Sequence, residues 1–284
     1  MTELILGTAQ FGNAYGATNA IGRLGDSDVA ELLGMARAAG IRTLDTAADY
    51  GDSQERLGRL APAGNRYITK FSLGEGRPAA EWLYDRSRRM LGVESLQGVL
   101  FHRLSDLHDP RCAETVDLLR EGRAAGVIDR IGVSIYDAAD LELALSVFPD
   151  LDLLQLPANI LDRRLLDDAG VAALAARGVL LHVRSAFLQG ILLADPDTLA
   201  PFFQALAPVL RELRRVALES GVTLAGLLLR YLRDHPLVGG VVVGATTRAE
   251  LAEITAEWSA AVVVPLPEVD DLPAKLLDPR LWPR

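Results

Sequence analysis

Short apolar runs alternate with longer amphipathic segments along the whole chain. Leu4–Thr8 reads as a first strand, and the next apolar run, Ile41–Asp45, follows a helix starting at Asp26 or Ser27 and stopped by Gly40. A helix over Ser53–Leu60 leads to a strand Arg66–Lys70, and a helix over Pro78–Leu91 to a strand Leu96–Phe101. The pattern continues with a helix Asp109–Ala125, a strand Ile128–Ser134 and a helix Asp137–Val147. A strand Leu151–Leu156, a helix Leu165–Ala176 and a strand Val179–Val183 come next. After a longer excursion, helices Phe202–Ser220 and Thr223–Arg233 precede the strand Leu237–Val243 and a last helix Thr247–Trp258.

The strand runs are nearly all apolar, as expected of parallel strands buried on both faces. Eight of them alternating with helices predict an α/β fold, a closed (β/α)8 TIM barrel. An open doubly wound sheet is the runner-up. Gly7-Thr8-Ala9-Gln10-Phe11-Gly12 lacks the glycine spacing of its usual nucleotide-binding turn. Without a linker or composition shift, residues 1–284 read as a single domain, with a C-terminal tail from about 262 to 284 packing on the barrel.

Composition narrows the function. The net charge of −9 among 284 residues argues against a nucleic-acid partner, which needs a basic face. Cys112 is the only cysteine, so no intramolecular disulfide forms. Neither a signal peptide nor an apolar run long enough to span a membrane is apparent, and the expected location is cytoplasmic. The four histidines are scattered, so no metal site is expected.

Three strand-like runs end in polar groups: Asp45, Lys70 and His102. Tyr50 follows Asp45 by five positions, in Asp-Thr-Ala-Ala-Asp-Tyr-Gly, and Ser53-Gln54-Glu55-Arg56-Leu57-Gly58 comes just after. In a barrel of this kind the C-terminal strand ends carry function, so the four side chains can converge. Each has an ordinary structural reading alone; together, in order at neighbouring strand ends, they suggest a proton-donor site.

In these residues the chain resembles the aldo-keto reductase family, bacterial members in particular, from Gly7 to about Glu253. The resemblance implies an NAD(P)H-dependent oxidoreductase that reduces an aldehyde or ketone, a small-molecule carbonyl substrate. Tyr50 would be the general acid/base, Lys70 would lower its pKa from the ordinary value near 10, Asp45 would hold Lys70, and His102 would orient the carbonyl. A polar or sugar-like substrate is expected from Asn13, Asp49 and Arg103 near the site.

For the cofactor, the resemblance implies NADP(H) in preference to NAD(H). It points to Ser134 in Gly132-Val133-Ser134-Ile135, to Gln155 closing the sixth strand and to Arg184 where many members carry a tyrosine. Asn159 is a substitute for an amide lost at Ile135. After the eighth strand, Gly244, Ala245 and Thr246 open a helix N-terminus suited to an anion. Arg248, Glu250 and Glu253 complete the expected contacts on that helix, with Ile254 where the family commonly has asparagine. Glu250 stands where an arginine commonly grips a 2'-phosphate, and Thr247-Arg248-Ala249-Glu250 also reads as a capping box.

Two rivals remain. A cofactor-binding redox sensor, as in potassium-channel beta subunits, would share the site with little turnover. A barrel lyase or isomerase would share the anion site but not the Asp-Tyr-Lys set. A short-chain dehydrogenase is disfavoured, because Tyr50 and Lys70 stand 20 positions apart.

Overall fold

The computed structural model describes residues 2–73, 81–260, 267 and 272–283. The barrel opens with β1 (Glu3–Gly7), a short α1 (Ala9–Gly12) and α2 (Asp26–Ala38). β2 (Thr43–Asp45) leads to α3 (Ser53–Leu60), β3 (Arg66–Phe71) to α4 (Glu81–Leu91), and β4 (Leu96–Phe101) to α5 (Cys112–Ala124). β5 (Ile128–Ser134) leads to α6 (Ala138–Val147), and β6 (Leu153–Pro157) to α7 (Ala169–Ala176). β7 (Leu180–Arg184) leads to α8 (Ala207–Glu219) and α9 (Leu224–Arg233). β8 (Gly240–Val243) is followed by α10 (Arg248–Ser259) and, later, a short α11 (Ala274–Leu277). Each strand pairs in parallel with the next, and β8 closes on β1 from Glu3↔Gly240 to Leu6↔Val243. The expected (β/α)8 barrel is the observed fold.

Several element boundaries differ from expectation, and three of them have a clear local reason. The helix expected from Leu165 begins at Ala169, because the Asp168 carboxylate accepts from the Gly170 and Val171 amides and caps it there. The segment expected as a helix from Asp109 starts at Cys112, behind a 3-10 turn over Leu104–His108. β8 begins at Gly240 instead of Leu237, whose amide turns back to His235 Nδ1 at 3.3 Å. The start of the helix expected from Pro78 lies outside the described residues, as do residues 262–266, 268–271 and 284 of the tail.

Two layers of apolar side chains hold the barrel. Most of the core lies between strands and helices, and a smaller cluster of Ile68, Leu100 and Leu153 fills the interior. Full burial of a leucine stabilises by about 2 kcal/mol. Removing one, as in Leu153→Ala, would cost about 2–5 kcal/mol once the cavity is counted. This inner plug also sets the site. Side chains on a strand alternate in direction, so the residue two places on shares the face. Lys70 follows Ile68, His102 follows Leu100 and Gln155 follows Leu153, each carrying its polar group towards the C-terminal mouth.

The described part of the tail touches the barrel at two places. Leu276 and Leu277 join the apolar cluster of α8 and α9, where Trp282 meets Phe203 edge-on at 4.8 Å. Arg280 lies over the Tyr136 ring at 4.2 Å and pairs with Asp137 at 3.0 Å, just past β5.

Candidate active site

Asp45 and Lys70 form a buried ion pair at the strand ends, with Nζ 2.5 Å from Oδ1. Lys70 also donates to the Thr46 carbonyl at 3.1 Å. The other oxygen of Asp45 accepts from Gln155 Nε2 at 2.8 Å, and the Gln155 carbonyl oxygen lies 3.4 Å from Ser134 Oγ. Two residues expected to serve a cofactor are thus wired to two expected to serve catalysis. Charge-assisted bonds of this kind are about twice as strong as neutral ones.

Tyr50 stands above this pair, with Lys70 Nζ 5.2 Å from its ring centroid. His102 meets the Tyr50 ring edge-on at 5.7 Å and 80°. The structure therefore brings Asp45, Tyr50, Lys70 and His102 together. The turn that carries Tyr50 is tightly fixed. Gly51 takes φ +55, a left-handed conformation that suits glycine, and a Cβ on Gly12 would strike the Tyr50 carbonyl.

The adjoining Ser-Gln-Glu-Arg-Leu-Gly run supplies the anchors. Ser53 Oγ donates to the Thr8 carbonyl at 3.0 Å, and Gln54 Nε2 to Thr69 Oγ1 at 2.7 Å, next to Lys70. The buried Arg56 donates to the Phe11 carbonyl and to Asp26 Oδ1. These residues hold α3, and hence the Tyr50 turn, against β1, β3 and α2.

Burial sets the protonation states. It raises the Tyr50 phenol well above its ordinary value, helped by the Asp45 and Asp49 carboxylates and opposed by Arg184. Burial outweighs the lowering expected from Lys70, whose charge Asp45 at 2.5 Å offsets in part. Burial also lowers Lys70, opposed by Asp45, and lowers His102, opposed by Asp49. His102 Nδ1 faces Asp49 Oδ2 at 3.6 Å, and Asp49 in turn accepts from Ser72 Oγ at 2.7 Å. Arg103 Nη2 reaches the Asp49 carboxylate at 3.5 Å and Asn13 Nδ2 the Asp49 main-chain carbonyl at 3.5 Å, so the polar residues expected to shape substrate choice gather around Asp49.

A cavity of about 460 Å³ begins at Tyr50 and Asp45 and runs past Gln155 and Arg184 to Gly244, Thr246, Glu250, Glu253 and Ile254. Its β7 side is a loop in which Ser185, Leu188 and Gln189 take positive φ. Such strain in non-glycine residues clusters at ligand sites. Arg184 lies flat on Tyr136 at 4.0 Å and donates to the Ile135 carbonyl at 3.0 Å. Sequence reasoning missed Tyr136, which is gripped between Arg184 and Arg280. Its signal was an aromatic side chain two places past a strand-end serine. The Asn159 amide is spent elsewhere: Nδ2 donates to the Ser185 carbonyl, and Oδ1 accepts from Leu161 and Asp162 amides.

At the far end, Thr247 caps α10 and Glu250 reaches back in a full capping box. The Glu250 carboxylate accepts from the Thr246 amide at 2.7 Å, the Thr247 amide at 3.3 Å and Thr246 Oγ1 at 3.0 Å. Amides expected to meet an anion are thus met by the chain's own carboxylate. Ala245 is buried beside them, and Gln10 lies close beneath Gly244. Arg248 turns away to Glu31 on α2, at 2.6 Å.

The family is now plain from the sequence. The sequence model of the aldo/keto reductase family matches residues 3–265, and the chain belongs to that family of oxidoreductases. Solved structures share the barrel at low identity. An aldo-keto reductase from Bacillus halodurans in its holo form is 20% identical, with 96% of this chain and 89% of that chain covered and a TM-score of 0.71. A glycerol dehydrogenase from Gluconobacter oxydans is 21% identical over 92% and 87%, with a TM-score of 0.70. An aldo/keto reductase from Klebsiella pneumoniae in complex with NADP and acetate is 20% identical over 92% and 87%, with a TM-score of 0.67. No curated protein matches the chain significantly. Among the described residues no helix is long and apolar enough to cross a membrane.

Proposed function

We propose that the chain reduces an aldehyde or ketone to an alcohol with a nicotinamide dinucleotide, using Tyr50 as the proton donor. The observation that carries this reading is the stack of Tyr50 over the buried Asp45–Lys70 pair at one end of the long cavity. The cavity fits a dinucleotide in kind: it joins a polar floor at Gln155, with Ser134 just behind it, to a glycine-lined strand end at Gly244. A bound nicotinamide would supply the hydride. Ser134, Gln155 and Arg184 would hold that half, and the segment Gly244 to Glu253 the adenosine half.

The protein's own part is proton delivery. Burial keeps the Tyr50 phenol protonated at neutral pH, ready to donate to the carbonyl oxygen as negative charge develops there. Lys70 then steadies the phenolate left behind, and Asp45 fixes Lys70 in place. His102, neutral because of its burial, turns its Nδ1 towards the Asp49 carboxylate, which places the ring proton there and leaves Nε2 to orient the substrate by accepting from one of its hydroxyl groups. Asn13, Arg103 and Asp49 beside the site support a hydroxylated substrate. The phenolate that oxidation of the alcohol needs as a base is scarce at neutral pH, so oxidation requires alkaline conditions.

The test follows the absorbance of reduced nicotinamide while aldehydes, ketones and aldoses are supplied in turn. Consumption that Tyr50→Phe abolishes, with nucleotide binding kept, is the expected result. Nucleotide binding without consumption by any carbonyl would turn the reading towards a redox sensor.

A further inference from the structure

The two ends of the cavity differ in charge. Arg184, at the Tyr50 end, is the one cationic side chain among the described lining residues. The far end presents Glu250 and Glu253, three apart on α10 and therefore on one face of the helix, with Ile254 beside them. The Thr246 and Thr247 amides that could have met an anion there already donate to Glu250. Arg248, two positions from Glu250, projects from another side of the helix and is paired with Glu31.

From this arrangement we infer that Glu250, with Glu253, makes the site selective for the non-phosphorylated dinucleotide, NAD(H), and against NADP(H). The inference rests on the reading above, because a dinucleotide whose nicotinamide reaches Tyr50 places its adenosine half at the carboxylate end. A ribose diol brings two O–H donors that the Glu253 carboxylate, and the lone pairs of Glu250 not taken by Thr246 and Thr247, can accept. A 2'-phosphate brings negative charge against two carboxylates and finds the helix amides taken. Like charges held in apposition discriminate strongly between ligands. The preference thus runs opposite to the one that the family resemblance suggests.

Binding measures this without turnover. NADH and NADPH are titrated into the protein by tryptophan fluorescence quenching, at low and at high salt, for the natural chain and for Glu250→Gln and Glu253→Gln. Glutamine at the first position still completes a capping box, so the helix start survives while the charge is lost. The natural protein should bind NADH at least about tenfold more tightly than NADPH, the size expected of one screened like-charge contact. Each substitution should narrow that ratio by tightening NADPH, and added salt should narrow it too. A purely structural role for Glu250 would weaken both nucleotides equally. Tighter NADPH than NADH in the natural chain, or a ratio that neither substitution nor salt moves, would overturn the selectivity while leaving the reductase intact. Binding of neither nucleotide would instead defeat the cofactor reading, and this inference with it.

Discussion

Gln155 donates its side-chain amide to Asp45 Oδ2 at 2.8 Å, completing the satisfaction of a carboxylate whose other oxygen belongs to Lys70. The contact joins β6 to β2 across the barrel mouth and ties the expected nicotinamide floor to the expected proton donor. It explains why an uncharged residue from a distant strand matters to the charge pair. Ser134, 3.4 Å from the Gln155 oxygen, extends the chain to β5.

Gln155→Leu therefore removes a donor and leaves one buried carboxylate oxygen of Asp45 unmet. A hydrogen bond to a charged group contributes about 1.5–3 kcal/mol. Stability measured by urea unfolding should fall by about that amount. Turnover should fall as well, because Asp45 regains freedom to draw Lys70 away from Tyr50. An unchanged unfolding midpoint would show that the amide contributes nothing net.

The alkaline limb of carbonyl reduction tests the state of Tyr50. An ordinary phenol loses its proton near pH 10. Here burial and the neighbouring carboxylates raise the Tyr50 pKa, so the acid form persists beyond that point. Reduction, which needs the acid form, should show no fall attributable to Tyr50 up to pH 10. Oxidation of the alcohol, which needs the base form, should rise with pH across the same range. A single-turnover pH profile in both directions checks this, and a reduction limb falling below pH 10 would place the phenol pKa on the lowered side that the sequence argument first gave it.

How far the sequence could be read follows from geometry. Parity along β3, β4 and β6 makes the positions of Lys70, His102 and Gln155 readable, because each stands two places beyond an interior apolar residue. The Ser-Gln-Glu-Arg-Leu-Gly run was readable as a signature, but its work as the anchor of the Tyr50 turn needed the contacts of Ser53, Gln54 and Arg56. Helical spacing already implied that Glu250, Glu253 and Ile254 share a face and that Arg248 does not. What spacing could not decide was whether Glu250 would face a ligand or cap its own helix; that depends on a rotamer. Tyr136 left only a weak signal in the sequence, for a different reason. Its importance comes from Arg280, which is distant in sequence and arrives through the tail.

His182 gives the fold a built-in acid sensitivity. It lies in the barrel interior, 1% exposed, packed against Gly240, and its Nδ1 has no hydrogen-bond partner. Burial lowers its pKa from 6.5 to about 4. The unfolded chain binds the proton more readily, so stability is fully present above pH 6.5 and is lost as pH falls towards 4. At about 1.4 kcal/mol per unit the loss reaches roughly 3 kcal/mol. His182→Leu should flatten the stability profile over that window while leaving other acid transitions in place. A variant that keeps the full slope would move its cause to other groups.

Lys70→Met separates the electrostatic role of the ion pair from its structural one. Removing the ammonium leaves the Asp45 charge buried with only Gln155 as partner, and breaking a buried pair in this way costs about 3–5 kcal/mol. Loss of turnover in the single variant would therefore be ambiguous, since the fold itself is weakened. Adding Asp45→Asn removes the stranded charge while keeping a polar group beside Gln155. The double variant should recover most of the lost stability in thermal or urea melts. It should not recover turnover, because no ammonium remains to steady the Tyr50 phenolate. A double variant that is both stable and active would show that Tyr50 delivers its proton without help from Lys70, and that the pair serves only to hold the strand ends together.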